Sequence, residues 1–82
     1  MVDTFQDAHV EALHHVELAN ANFDLRAEAI AMRNAARDRG DHVAAVRWHS
    51  MALLYQEAGE DMLAIATMAQ EKMQAELSAA AA

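Results

Sequence analysis

The two glycines of this chain, in a sequence without proline, limit its fold more than any other feature. Good helix formers such as alanine, leucine, methionine and glutamate dominate the rest, so the open question is where helices end. Gly40 precedes Asp41, and Gly59 precedes Glu60 and Asp61. A glycine followed by an acidic residue is typical of one helix end and the next helix start. The sequence therefore predicts a turn at each glycine.

Residues suited to cap a helix N-terminus recur about every 19 positions along the chain. They are Asp3 or Thr4, Asn22, Asp41, and Glu60 or Asp61. We therefore predict a single all-α domain over residues 1–82, with about four short antiparallel helices near 4–20, 23–39, 42–58 and 61–77. The alanine-rich residues 78–82 are expected to be a frayed tail.

The first of these breaks, at Asn20–Asn22, contains no glycine and depends on a change of apolar face. Leu13, Val16 and Phe23 form one stripe, whereas Leu25 and Met32 belong to another that is rotated by about half a turn. If the helix continues through this point, the alternative fold is a long two-helix hairpin with one turn at Gly40. Such a hairpin needs a second copy to cover its face, which would give a four-helix bundle.

A stretch in the middle of the chain resembles the second helix and exit turn of a tetratricopeptide repeat. The matching residues are Gly40-Asp41, Ala45, His49, Ala52-Leu53 and Glu57-Ala58-Gly59-Glu60, and two internal alignments suggest a repeat near 34 residues. The resemblance implies stacked helical hairpins, one to one and a half repeats long, whose groove binds a peptide or protein. Small residues at Ala45 and Ala52 share one helix face, so a neighbouring helix is expected to approach closely there.

The acidic charge of the chain is unevenly distributed. The net charge is −7, yet residues 26–47 hold all five arginines against three acids, and the remainder holds one lysine against ten acids. This balance argues against nucleic acid as a partner, because a phosphate backbone favours a basic surface. No signal peptide or membrane-spanning segment is predicted, so the chain is expected to be cytoplasmic.

The arginines of the predicted second helix are the leading candidates for a binding site. Arg26, Arg33 and Arg37 fall within about 40° of one another around a helix, with Asn34 beside them. Some members of the resembled family clamp a peptide carboxylate with basic and Asn side chains, which implies such a role for Asn34 and Arg37. We therefore expect a partner of acidic character. Met68, on the flank of the last helix, is a further candidate for contact with a partner or another copy.

Five histidines raise the question of a metal site, and Glu11-x-x-His14 has the spacing used in di-iron bundles. A second such motif is absent from the sequence, and no catalytic motif is recognised, so we predict no metal, no cofactor and no enzymatic activity. The predicted function is a non-enzymatic adaptor that binds a protein or peptide partner. The alternative is a self-assembling scaffold subunit, a homodimer or weak self-associating species that buries Trp48, Tyr55 or Met68 between copies; a metal-binding bundle is less favoured.

Overall fold

A computed structural model describes the backbone of residues 4–81 and the side chains of residues 9–81, and it contains two long helices. Helix α1 spans Thr4–Asp38 and helix α2 spans His42–Ala81, and they run antiparallel as a hairpin. The all-α class is therefore confirmed, whereas the prediction of about four helices is wrong. The two-helix hairpin considered as an alternative has the observed topology. The proposed first cap at Asp3 lies outside the described residues.

The turn between the helices is the one that the sequence predicts at Gly40. Gly40 has a φ of +75°, its N–H donates to the Arg37 carbonyl at 2.9 Å, and the Asp41 N–H donates to the Ala36 carbonyl at 2.9 Å. These two hydrogen bonds form a Schellman motif, in which glycine takes the left-handed conformation. The Asp41 carboxylate then accepts a hydrogen bond from the Ala44 N–H at 3.1 Å, which caps α2.

The second predicted turn, at Gly59, does not exist, because Gly59 is buried in the middle of α2. Its φ is not positive, since Gly40 is the one described residue with a left-handed backbone. A Cβ atom at Gly59 would lie only 2.5 Å from Cε1 of Phe23 on α1. This glycine therefore allows an aromatic ring to rest on the helix backbone, and it has no role in ending the helix.

The predicted break at Asn20–Asn22 is also wrong, because α1 is continuous through it. The Asn22 side chain donates to the Leu18 carbonyl one turn earlier, at 2.9 Å, so it contacts its own helix and caps nothing. At the far end of the hairpin, α2 remains helical through Ala81, in the segment expected to fray.

The fully buried part of the contact between the helices is almost entirely alanine. Every buried residue among 9–81 is alanine or glycine, and many are spaced by seven residues: Ala12, Ala19, Ala29, Ala36, Ala52, Gly59 and Ala66. We call this buried stripe the alanine seam. A seven-residue repeat keeps the same side of each helix facing its neighbour, and small side chains let the backbones approach closely. Ala45, which was expected at such a contact with Ala52, is only half-buried.

The register of the hairpin is fixed by contacts other than the alanines. Phe23 lies against Gly59, Arg26 donates to Gln56, and Arg33 donates to His49. The residue numbers of each facing pair add up to 82, so the level of any residue on the opposite helix follows directly.

The hairpin is elongated, with extents of 63 × 20 × 12 Å and a radius of gyration of 18.5 Å. A compact domain of this length would have a radius of gyration of about 12 Å. Although both helices are longer than a bilayer is thick, neither contains, within the described residues, a stretch apolar enough to cross one. The long sides of the hairpin therefore form most of its surface.

Candidate interaction surface

A second apolar stripe with seven-residue spacing runs beside the alanine seam. It comprises Leu18, Leu25 and Met32 of α1 and Met51, Ala58 and Ile65 of α2. Leu18, Met51, Ala58 and Ile65 each stand one position before a seam residue, and Leu25 and Met32 continue the spacing of Leu18 along α1. A step of one position turns a side chain by about 100°, a little over a quarter of a turn, away from the opposite helix. The five large members are 37–45% exposed. We call this surface the apolar flank.

The two halves of the apolar flank lie on the same side of the hairpin. When two helices run antiparallel, the residues that stand one position before a buried residue lie on the same side of the pair in both helices. The register places Leu18 level with Ile65, Leu25 level with Ala58, and Met32 level with Met51. The stripe on α1 continues to Glu11 and the stripe on α2 continues to Lys72, and both residues line one surface depression together with Ile65. The flank is thus three apolar layers followed by a layer of one acidic and one basic residue.

Aromatic and methionine side chains extend the flank along α2. Trp48 and Tyr55 are half-buried beside it, and Met68 is 67% exposed. Trp48 also lines a depression with Val43 and Met51 on the first turns of α2. The three residues expected to be buried in an assembly therefore all border the apolar flank.

The opposite side of the seam carries the polar contacts. Arg26 donates through Nη1 to Oε1 of Gln56 at 2.7 Å, and Gln56 donates through Nε2 to Oε1 of Glu60 at 2.6 Å. The Nε atom of Arg26 is buried with no hydrogen-bond partner. Arg26 continues the seven-residue spacing of Ala12 and Ala19 and is half-buried, so its side chain lies partly between the helices.

Three of the predicted binding residues meet near the turn. Arg33 donates through Nε and Nη2 to Oδ1 of Asn34 at 3.3 and 3.2 Å, and through Nη1 to Nδ1 of His49 at 3.1 Å. Because arginine only donates, His49 accepts at Nδ1 and carries its proton on Nε2. Arg37 is exposed and lines a depression with Arg33, His42 and His49, whose apolar residues are Ala45 and Val46.

The other two predicted binding residues lie apart from this cluster. Arg26 is two helical turns from Arg33 and is already bonded to Gln56. Met68 is level with His14, about 28 Å along the axis from Arg33 at the rise of 1.5 Å per residue. The five residues therefore do not form one site.

The histidines of α1 contact their own helix. Nδ1 of His15 donates to the Glu11 carbonyl at 2.8 Å, and the rings of His14 and His15 are edge to face with centroids 5.8 Å apart. In the described part of the chain, no three side chains from His, Asp and Glu come together in a group that could hold a metal ion.

Charge is separated along the length of the hairpin. Arg26 and Gln56 are level, so residues 26–56 form the half nearer the turn, and this half carries five arginines against three acids. The remaining sequence, residues 1–25 and 57–82, carries ten acids against one lysine. We call these segments the turn half, with a formal charge of +2, and the open half, with −9.

The apolar flank is the feature that reasoning from the sequence missed. Its signal was present as the seven-residue spacing of Leu18, Leu25 and Met32. The predicted break at Asn20–Asn22 divides this spacing, because it places Leu18 in one helix and Leu25 and Met32 in the next. Comparison with protein-family models, with curated proteins and with solved structures finds no significant match to this chain.

Proposed function

We propose that this chain is a non-enzymatic protein-interaction subunit that packs its apolar flank against helices of another polypeptide. One observation carries the proposal: the five large members of the flank form one stripe in which every side chain is 37–45% exposed, while the buried residues among 9–81 are alanine and glycine alone. Exposed apolar residues scattered singly are normal, but a contiguous stripe beside a thin core is typical of an interface.

The surface area of the hairpin supports this proposal. The accessible surface is 5958 Å² for a chain of 9.0 kDa. A compact monomer of this mass exposes about 4,850 Å², so the hairpin exposes about 1,100 Å² more. A stable interface covers about 800 Å² on each partner. The excess is therefore of the size that one partner would cover.

The geometry of the flank favours a helical partner. Neighbours of a helix in a four-helix bundle lie about a quarter turn apart around its axis. The seam directs each helix toward its partner in the hairpin, and the apolar flank faces about 100° away. Helices laid along the flank would complete such a bundle. This mode differs from the groove of stacked hairpins that the resemblance implied, since the described residues form only one hairpin.

Site-specific photo-crosslinking in the cells that express the chain tests the proposal. A photoreactive phenylalanine analogue replaces Leu25 on the flank, and a matched variant carries it at the exposed Ala27, two residues away on the opposite side of the seam. We expect covalent protein adducts, with the linkage mapped to residue 25, that are much stronger than those from residue 27. Equal or absent adducts at both positions would contradict the use of the flank.

The basic cluster near the turn supports a second candidate function, which is recognition of acidic peptide. Arg37 is exposed and lines one depression with His42 and the apolar Val46, whereas the guanidinium of Arg33 already has two partners. A peptide carboxylate could accept hydrogen bonds from the guanidinium of Arg37, and apolar side chains of the peptide could contact Val46. Asn34 would orient the guanidinium of Arg33 through the hydrogen bonds that it accepts. The double change Arg33→Glu with Arg37→Glu should abolish binding of a labelled poly-glutamate peptide. Unchanged binding would show that these arginines do not recognise acidic peptide.

A further inference from the structure

We propose that the partner on the apolar flank is a second copy of this chain, arranged antiparallel, so that the turn half of each copy lies over the open half of the other. This inference builds on the proposed function and specifies its partner. It is carried by the order of residues along the flank, by the separation of charge and by the available area.

The stripe on α1 is complementary to its own reverse. At seven-residue spacing it reads Glu11, Leu18, Leu25, Met32 and Arg39. Arg39 still belongs to the helical pattern, since its N–H donates to the Ala35 carbonyl at 3.2 Å. If a second copy of this stripe is laid on the first in the reverse direction, with Leu25 over Leu25, then Leu18 of one copy lies over Met32 of the other. Glu11 of one copy likewise lies over Arg39 of the other. The apolar layers match and the terminal charges pair.

The stripe on α2 is also complementary to its own reverse, and its centre lies at the same level as the centre of the stripe on α1. Reversal about Ala58, which is level with Leu25, sets Met51 over Ile65 and leaves alanine over alanine at the centre. It also brings Trp48 to the level of Met68 of the other copy. This arrangement would cover Met68, which is the most exposed of the large apolar side chains at 67%.

Charge separates the antiparallel arrangement from the parallel one. A parallel pair would place an open half of −9 beside another of −9, and a turn half of +2 beside another of +2. An antiparallel pair places each open half against a turn half of +2. Like charges facing one another across an interface disfavour association, and complementary charges set the orientation of partners. The parallel pair would set Leu25 over Ala58, so the two arrangements differ in which residues meet.

Cysteine cross-linking tests the orientation, because the chain has no cysteine of its own. In the antiparallel dimer Leu25 lies at the two-fold axis, so Leu25→Cys should oxidise to a covalent dimer of twice the 9.0 kDa chain mass. Leu18→Cys alone should not, and mixing it with Met32→Cys should give the mixed dimer. A disulfide between Leu25→Cys and Ala58→Cys copies, with none from Leu25→Cys alone, would overturn the antiparallel arrangement.

Light scattering tests the dimer itself. The unaltered chain should have twice the 9.0 kDa mass, and Leu25→Glu, which brings two carboxylates together at the axis, should shift it to the monomer. Leu13→Glu is the matched control, since Leu13 is 50% exposed on the opposite side of the seam, and it should remain a dimer. Helical circular dichroism of each variant shows that the hairpin persists.

Charge reversal tests the pairing of Glu11 with Arg39. Either single change, Glu11→Arg or Arg39→Glu, should weaken the dimer about tenfold, because it replaces two attractive pairs by repulsive ones. Combining the two changes in one chain should restore the dimer. Failure of the combination to restore it would overturn the pairing.

The proposed function and this inference fail differently. A chain that is a monomer at every concentration tested overturns the second copy as partner. If photo-crosslinks at residue 25 then join a different protein, the interaction function stands without self-association. If they join nothing, both proposals fall.

Discussion

The close packing of Phe23 on Gly59 makes an unusual prediction for the exchange of glycine for alanine inside a helix. In most helix interiors this exchange raises the free energy of unfolding by about 1 kcal/mol, because glycine loses more backbone entropy on folding. At position 59 a methyl group would come within 2.5 Å of Cε1, 2.9 Å of Cδ1 and 2.8 Å of Cζ of the Phe23 ring. The ring or the whole helix must therefore move.

The size of the effect follows from two opposing contributions. Overpacking of this kind costs about 1 to 3 kcal/mol. After the gain of about 1 kcal/mol in helix propensity, Gly59→Ala should lower the free energy of unfolding by about 0 to 2 kcal/mol. In a chain that already carries Phe23→Ala, the clash is absent, and Gly59→Ala should instead stabilise by about 1 kcal/mol. The coupling between the two positions is thus about 1 to 3 kcal/mol.

Urea unfolding followed by circular dichroism at 222 nm measures this double-mutant cycle. All variants are compared at one protein concentration, because association would add to the apparent stability. Ala64→Gly, at an exposed position of α2, provides the local value of the alanine-to-glycine difference. If Gly59→Ala stabilises the unaltered chain as much as it stabilises the Phe23→Ala chain, the ring does not rest on Gly59 and the register is wrong.

Three further substitutions test the turn, the seam and the polar contact between the helices. Asp41→Ala removes the cap of α2 and should lower the free energy of unfolding by about 1 kcal/mol, measured by thermal unfolding. An unchanged melting temperature would show that Asp41 does not cap the helix. Ala19→Leu should overpack the seam and lower the free energy of unfolding by about 1 to 3 kcal/mol. Ala21→Leu, at an exposed position, should leave it nearly unchanged. Equal melting temperatures of the two variants would place Ala19 outside the contact between the helices. Gln56→Ala leaves the half-buried guanidinium of Arg26 without its acceptor and should cost about 1 kcal/mol, and replacing both residues by leucine should recover the loss; if the double variant stays as unstable as the single one, the hydrogen bond is not the cause.

The turn at Gly40 could be predicted because all of its determinants are local. A glycine for the left-handed residue and an aspartate for the next cap stand side by side, and the observed hydrogen bonds use both. Gly59 has the same local pattern, with acids after it, yet its helix continues. The difference is a tertiary contact from Phe23, 36 positions away in sequence, which no local rule contains. Its only sequence trace is the equal spacing of Ala52, Gly59 and Ala66.

The break expected at Asn22 failed for a related reason. The large apolar residues of α1 predict a buried face, but the seam consists of alanine and glycine, and Leu25 and Met32 are 41% and 45% exposed. Because the burial is carried by the smallest side chains, the apparent change of face between the two halves of α1 indicates a second surface and not a second helix.

The candidate binding site could be predicted only in part. Arg33, Asn34 and Arg37 were expected to be neighbours from helix geometry alone, and they are. Arg26 was included on the same ground, but its bond to Gln56 depends on how the helices face one another. The apolar flank requires both helices and their register, so it becomes visible as one surface only in the folded hairpin.

The short connection over residues 39–41 affects whether each helix packs within its own chain or against a helix of another molecule. The surfaces that meet within one chain would meet equally well if α1 of one molecule lay against α2 of another, as in domain swapping. The left-handed residue Gly40 allows the chain to fold back within so short a connection. A side chain there would strain the turn by about 1 to 2 kcal/mol and favour one continuous helix about 115 Å long. Exchanged molecules of that kind would interconvert slowly with the hairpin, because separating them requires the seam to open along its whole length.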